Sequence, residues 1–172
     1  ADAASMYSAK AAGLAPAFDV FTPDASELAF LADPAATHPA YIKNHLIEMN
    51  GDRAPELIRA AYTNGSAPKY MIVKGKVDYV VCDGAIRDTI SEPDEPAMEA
   101  VGGTGDTITG MVAALAHVGL DPDQAAGIAT RANRMAGRTA RVTPATKIGR
   151  IIDHFPEVFE QHMCTWSGVC IS

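Results

Sequence analysis

Short β-branched and aromatic runs alternate in this chain with segments whose apolar residues recur at helical spacing, and that alternation restricts it to an α/β fold. Phe18-Asp19-Val20-Phe21 reads as a buried strand closed by Thr22-Pro23. Lys69 to Val73 and Val77 to Cys82 read as two more strands, joined by the tight connection Lys74-Gly75-Lys76, and Ala85 to Ile90 is a further extended piece. Helices are expected over about Ala3–Gly13, Ser26–Leu31, 38–62 (two helices, or one kinked near Asn50-Gly51-Asp52), and from the glycine loop to Val118. Asp121-Pro122 starts another in cap-then-proline order, and a last single helix spans about Thr146–His162. Ser91 to Pro96 reads as a solvated surface connection, and Arg131, Arg134, Arg138 and Arg141 as a solvated stripe. In such a domain ligands bind at the carboxyl ends of the strands. Thr22 to Glu27 and Lys74-Gly75 both fall there.

Composition narrows the class of ligand. The 172 residues are 48% hydrophobic and 20% charged, enough for one domain with a real core. Fourteen basic against 21 acidic residues give a net charge of −7, which argues against nucleic acid or an anionic membrane as partner. A phosphorylated ligand therefore needs a local electropositive pocket. No apolar run approaches the roughly 20 residues of a membrane span, and the alanine-rich start lacks the order of a signal peptide, so a cytoplasmic location is expected. Cys82, Cys164 and Cys170 fit no zinc pattern. A disulfide in the tail is open to the last two, although a reducing compartment weighs against it. His38, His45, His117, His154 and His162 show no ligand spacing.

Gly102-Gly103-Thr104-Gly105-Asp106-Thr107 places three glycines, two hydroxyls and a carboxylate in a turn that opens onto a helix. Residues without a Cβ let backbone N–H groups approach an oxyanion, and the first helical turn leaves its donors unpaired. A carboxylate beside an anion site is repelled by the anion unless it has work to do, and taking a proton from a substrate hydroxyl is such work. The plainer alternative is that Asp106 only caps the helix. Asp24 has the same alternative, Glu27 can be a helix-start carboxylate, and Lys74 an exposed turn lysine.

Thr22-Pro23-x-x-x-Glu27-Leu28-x-x-Leu31, Val73-Lys74-Gly75, Gly102-Gly103-Thr104-Gly105-Asp106-x-x-x-Gly110 and Gly119-Leu120-Asp121-Pro122-x-x-Ala125-Ala126, in that order, resemble the ribokinase-like superfamily. Within it the chain is most similar to the ADP/ATP-dependent NAD(P)H-hydrate dehydratases, from about Asp2 to Glu160. The resemblance implies a three-layer α/β/α fold in a single partial domain, residues 1–162 forming the core and 163–172 a tail. It implies that Lys74, Gly75, Lys76, Val77 and Asp78 line an adenine nucleotide, ADP or ATP, and that Gly102, Gly103, Thr104 and Gly105 meet its phosphate. Asp24 and Asp106 would contact hydrated NADH or NADPH. Asp106 would act as general base while the substrate hydroxyl is phosphorylated before phosphate leaves. Mg2+ would arrive with the nucleotide rather than in a protein cage.

Three departures from that family are visible. Asp24 stands where the family has a histidine, and an ionised aspartate donates no hydrogen bond. Pro96 to Val101 replaces the family's Asn-Pro-Gly-Met-Ala-Thr and brings in Glu99. Asp2 matches the second aspartate of an Asp-Ala-Asp strand end, so the preceding half is expected on another polypeptide, lost, or replaced by oligomerisation. Two other functions use the same residues: a kinase acting on a sugar, vitamin or alcohol, and a non-catalytic nucleotide-binding protein.

Overall fold

The computed structural model describes residues 1–37, 53–168 and 170, and the chain falls into two compact units, residues 1–89 and 90–172. The first unit runs α1 (Ala4–Ala11), a 3₁₀ turn (Ala15–Ala17), β1 (Val20–Phe21), α2 (Ala25–Ala32), α3 (Ala54–Thr63), β2 (Tyr70–Val73), β3 (Asp78–Cys82) and β4 (Ala85–Ile90). The four strands form one mixed sheet in the order β1-β2-β3-β4, so the α/β class is the observed one. β1 and β2 are parallel with Phe21 beside Met71, whereas β2 and β3 are antiparallel with Tyr70 opposite Cys82 and Val73 opposite Tyr79.

This register puts Phe21, Met71, Val73 and Val81 into a core with Met6, Leu28, Phe30, Leu31 and Ile58 from the three helices. Each large apolar side chain so buried contributes roughly 1.5–3 kcal/mol. The turn between β2 and β3 is closed by the buried carboxylate of Asp78, whose Oδ1 accepts the Gly75 N–H at 2.9 Å. The β3–β4 turn has only two residues, Asp83 and Gly84, with φ of 50° and 78°, which is the backbone that matches the twist of paired strands.

α2 is fixed at both ends. At its start Asp24 Oδ1 accepts the Glu27 N–H at 2.8 Å while Glu27 Oε2 accepts the Asp24 N–H at 2.7 Å, a reciprocal capping box. At its end the Lys10 ammonium donates to the carbonyls of Phe30 and Asp33, where a cation complements the helix dipole. Residues 38–52, the first part of the helical stretch expected over 38–62, lie outside the described residues; the rest forms α3.

The second unit begins with a 3₁₀ turn (Pro96–Ala100), followed by α4 (Thr104–His117), α5 (Pro122–Thr139), α6 (Ile148–Ile152) and α7 (Phe155–Ser167). α5 is its centre and packs against the other three helices. Ala132, Ala136 and Ala140 allow close approach and are wholly buried with Ile151, Val158 and Val101. Two expectations are corrected here. The single last helix is two, because Pro156 has no N–H to donate to the Ile152 carbonyl four residues back, and the helix that restarts around it runs on to Ser167. Arg134 does not belong to a solvated stripe. Its side chain is buried and donates to the Ser91 and Pro93 carbonyls at 2.9 and 3.2 Å, tying down the acidic connection after β4. Beyond α7, Cys164 and Cys170 are joined as a disulfide with their Cα atoms 4.5 Å apart.

Candidate functional site

In the first unit two strand ends lie side by side. Past the paired residues of β1 and β2 the Lys74 N–H donates to the Pro23 carbonyl at 2.8 Å, and Asp24 and Lys74 form one more parallel bridge. The parallel pairing thus delivers Asp24, Glu27 and Lys74, predicted from separate motifs, to one sheet end.

Their side chains are largely engaged. Asp24 Oδ1 takes the Glu27 N–H and the Ser26 hydroxyl, the latter at 2.6 Å, so its capping role is realised. Glu27 is only 8% exposed, and burial pushes its carboxyl up to about 7, against the opposing pull of the Asp24 N–H and the Lys74 charge. Lys74 makes an ion pair with Asp2 at 2.9 Å, the two side chains being 14% and 17% exposed. Tyr7, on α1, faces the same group: burial first, then the charges of Glu27, Asp24 and Asp2, push its phenol up to about 12. Asp2 and Tyr7 were not among the expected site residues. Asp2 sits 72 positions from Lys74, a pairing that local pattern does not carry. Of the expected nucleotide residues, Lys76 is exposed in the turn after β2, Val77 is half-buried, and Asp78 serves the turn itself.

In the second unit the glycine loop forms the start of α4. Gly103 is the residue before the helix, with φ of +98°, and a Cβ there would lie 3.1 Å from Cγ1 of Ile148. Backbone pairing begins at the Thr107 N–H, which reaches the Gly103 carbonyl at 3.0 Å. Among the described residues the Thr104, Gly105 and Asp106 N–H groups therefore have no acceptor, and no side chain caps them. Thr104 turns its hydroxyl back to the Val101 carbonyl at 3.2 Å, and the Thr107 hydroxyl lies 2.7 Å from Asn133 Oδ1 on α5. These contacts hold the first turn on the core. Asp106 is exposed on that turn, and among the described residues its carboxylate has no hydrogen-bond partner. The residues present fit an anion: unpaired donors at the positive end of a fourteen-residue helix, with no side chain at Gly103 or Gly105 in the way.

The chain is 44% identical over 160 residues to an uncharacterized protein of Methanocaldococcus jannaschii, covering 93% of this chain and 69% of that one. It is 36% identical over 94 residues to the bifunctional NAD(P)H-hydrate repair enzyme Nnr of Pyrobaculum aerophilum, covering 54% of this chain but 18% of the enzyme. With the same enzyme of Hyperthermus butylicus it shares 44% identity over 70 residues, or 41% of this chain and 12% of that one. The sequence model of the NAD(P)H-hydrate dehydratases matches residues 1–154, and the chain belongs to that family.

Proposed function

We propose that the protein removes water from hydrated NADH or NADPH with ADP or ATP as co-substrate. The observation that carries the reading is the first turn of α4, where unpaired amides and an unengaged carboxylate stand together on one helical turn. In the second unit the amides of Thr104 and Gly105, after Gly102 and Gly103, hold a phosphate of the nucleotide, and Asp106 takes the proton of the substrate hydroxyl. The nucleotide supplies the phosphoryl chemistry that turns a hydroxyl into a leaving group. In the first unit Lys74, Gly75, Lys76, Val77 and Asp78 contact the nucleotide. Asp24, whose Oδ1 is engaged at the α2 cap, offers the substrate its second oxygen as an acceptor. Mg2+ enters on the nucleotide, and a cytoplasmic setting goes with such a substrate. A second copy of this chain, or a complementing polypeptide, is the partner we expect to cover the β1 edge.

The test is to incubate the protein with hydrated NADH and either ADP or ATP and follow recovery of the NADH absorbance. Recovery that depends on the nucleotide supports the dehydratase. Consumption of ATP with an alcohol acceptor and no recovery would replace it with the kinase reading. Neither activity, with ADP still bound, would leave a nucleotide-binding protein.

A further inference from the structure

We propose that Asp2 is a positioning residue for Lys74, fixing the ammonium at the carboxyl end of β2 so that it meets an anionic ligand already oriented. The inference rests on the nucleotide role assigned to Lys74. A lysine side chain is a flexible four-carbon stem with a strongly hydrated point charge, and it binds an anion well only after its rotamer freedom is lost. Here that freedom is lost beforehand. Asp2 is itself fixed: the Thr22 N–H donates to the Ala1 carbonyl at 3.0 Å, and Asp2 Oδ1 accepts the Ala3 N–H at 3.0 Å. The same oxygen accepts the Lys74 ammonium at 2.9 Å. The Lys74 backbone is meanwhile held to Pro23, so both ends of the side chain are set.

An ammonium has three protons, and among the described residues only Asp2 takes one. The other two are left for a ligand. Asp2 also settles a competition, because Asp24 and Glu27 are two further carboxyls of this strand end, and Glu27 feels the Lys74 charge. Without Asp2 the ammonium is free to turn toward Glu27.

The positioning role predicts different behaviour for two substitutions. Asp2→Asn keeps an oxygen that accepts the ammonium, whereas Asp2→Ala keeps nothing. In calorimetric titrations of the whole protein with ADP, Asp2→Ala should weaken binding about tenfold and Asp2→Asn by less than about threefold. An Asp2→Ala variant that binds ADP as tightly as the parent, or more tightly, would overturn the proposal, since Asp2 would then be inert or a competitor for Lys74. If Asp2→Ala does not fold, Asp2→Ser, too short to reach the ammonium, takes its place with the same expectation. A second readout needs no nucleotide. Acetic anhydride labelling of the ligand-free protein, scored at Lys74 against the exposed Lys147, should rise several-fold in Asp2→Ala and little in Asp2→Asn. Equal labelling in parent and Asp2→Ala would overturn the positioning role. Should the parent fail to bind ADP, the nucleotide role of Lys74 falls, and the labelling result alone upholds or overturns Asp2.

Discussion

Gly103→Ala is the substitution that most directly probes how the first turn of α4 is built. With φ of +98°, an L side chain at Gly103 meets the following carbonyl, at a cost of about 1–2 kcal/mol. The added Cβ would also stand 3.1 Å from Cγ1 of Ile148, inside ordinary contact distance, and pushing that side chain aside adds roughly 0.5–1 kcal/mol. The sum is a loss of about 1.5–3 kcal/mol, read as a lower urea midpoint at unchanged slope. Two neighbouring glycines serve as controls. Gly102 has ordinary φ and open space around its Cβ direction, so Gly102→Ala should lie within about 0.5 kcal/mol of the parent. Gly110, inside α4 and exposed with nothing near its Cβ direction, should gain about 0.5–1 kcal/mol as alanine from helix propensity alone. A Gly103→Ala variant as stable as Gly102→Ala would mean that the left-handed start of α4 is not required.

Two further predictions concern stability. Arg134→Ala removes a buried guanidinium from the carbonyls of Ser91 and Pro93 and should cost about 2–4 kcal/mol in chemical unfolding; a loss below about 1 kcal/mol would mean the arginine does not hold that connection. Burial pushes the Glu27 carboxyl up from 4.5 to about 7, so between those values the folded state holds more protons than the unfolded one. Stability therefore falls as pH rises through that window, by about 1–3 kcal/mol for this group. Glu27→Gln keeps an acceptor for the Asp24 N–H and should flatten the unfolding midpoint between pH 5 and about 8, whereas parallel profiles in the two proteins would contradict the burial argument.

What local pattern encodes, the sequence showed. The β2–β3 hairpin, α2 with its Asp24 cap, β4 at Ala85–Ile90 and the Asp121-Pro122 helix start all follow from residues a few positions apart. The two-residue Asp83-Gly84 turn has an equally local signal in its Asp-Gly pair. Other features depend on what the fold brings together. Arg134 stands between the half-buried Arg131 and the exposed Arg138 along α5, yet it is buried because the chain after β4 supplies carbonyl acceptors from 43 and 41 residues away. Lys74 reads as a lysine at a strand end, but nothing local shows that its ammonium is already held by Asp2, 72 positions away. The unpaired amides at the start of α4, by contrast, follow from the glycine pattern just before that helix. The break at Pro156 was legible in principle, but helix-spaced apolar residues on both sides of it favoured one continuous helix.

The proposed roles of Asp106 on the substrate and of the helix amides on the nucleotide separate cleanly in one variant. Asp106→Asn preserves shape and the N–H groups of the turn and removes only the base. Measured side by side, ADP affinity should stay within a few-fold of the parent while nucleotide-dependent recovery of NADH from its hydrate falls by at least about a hundredfold. Recovery at the parent rate in Asp106→Asn would contradict the account.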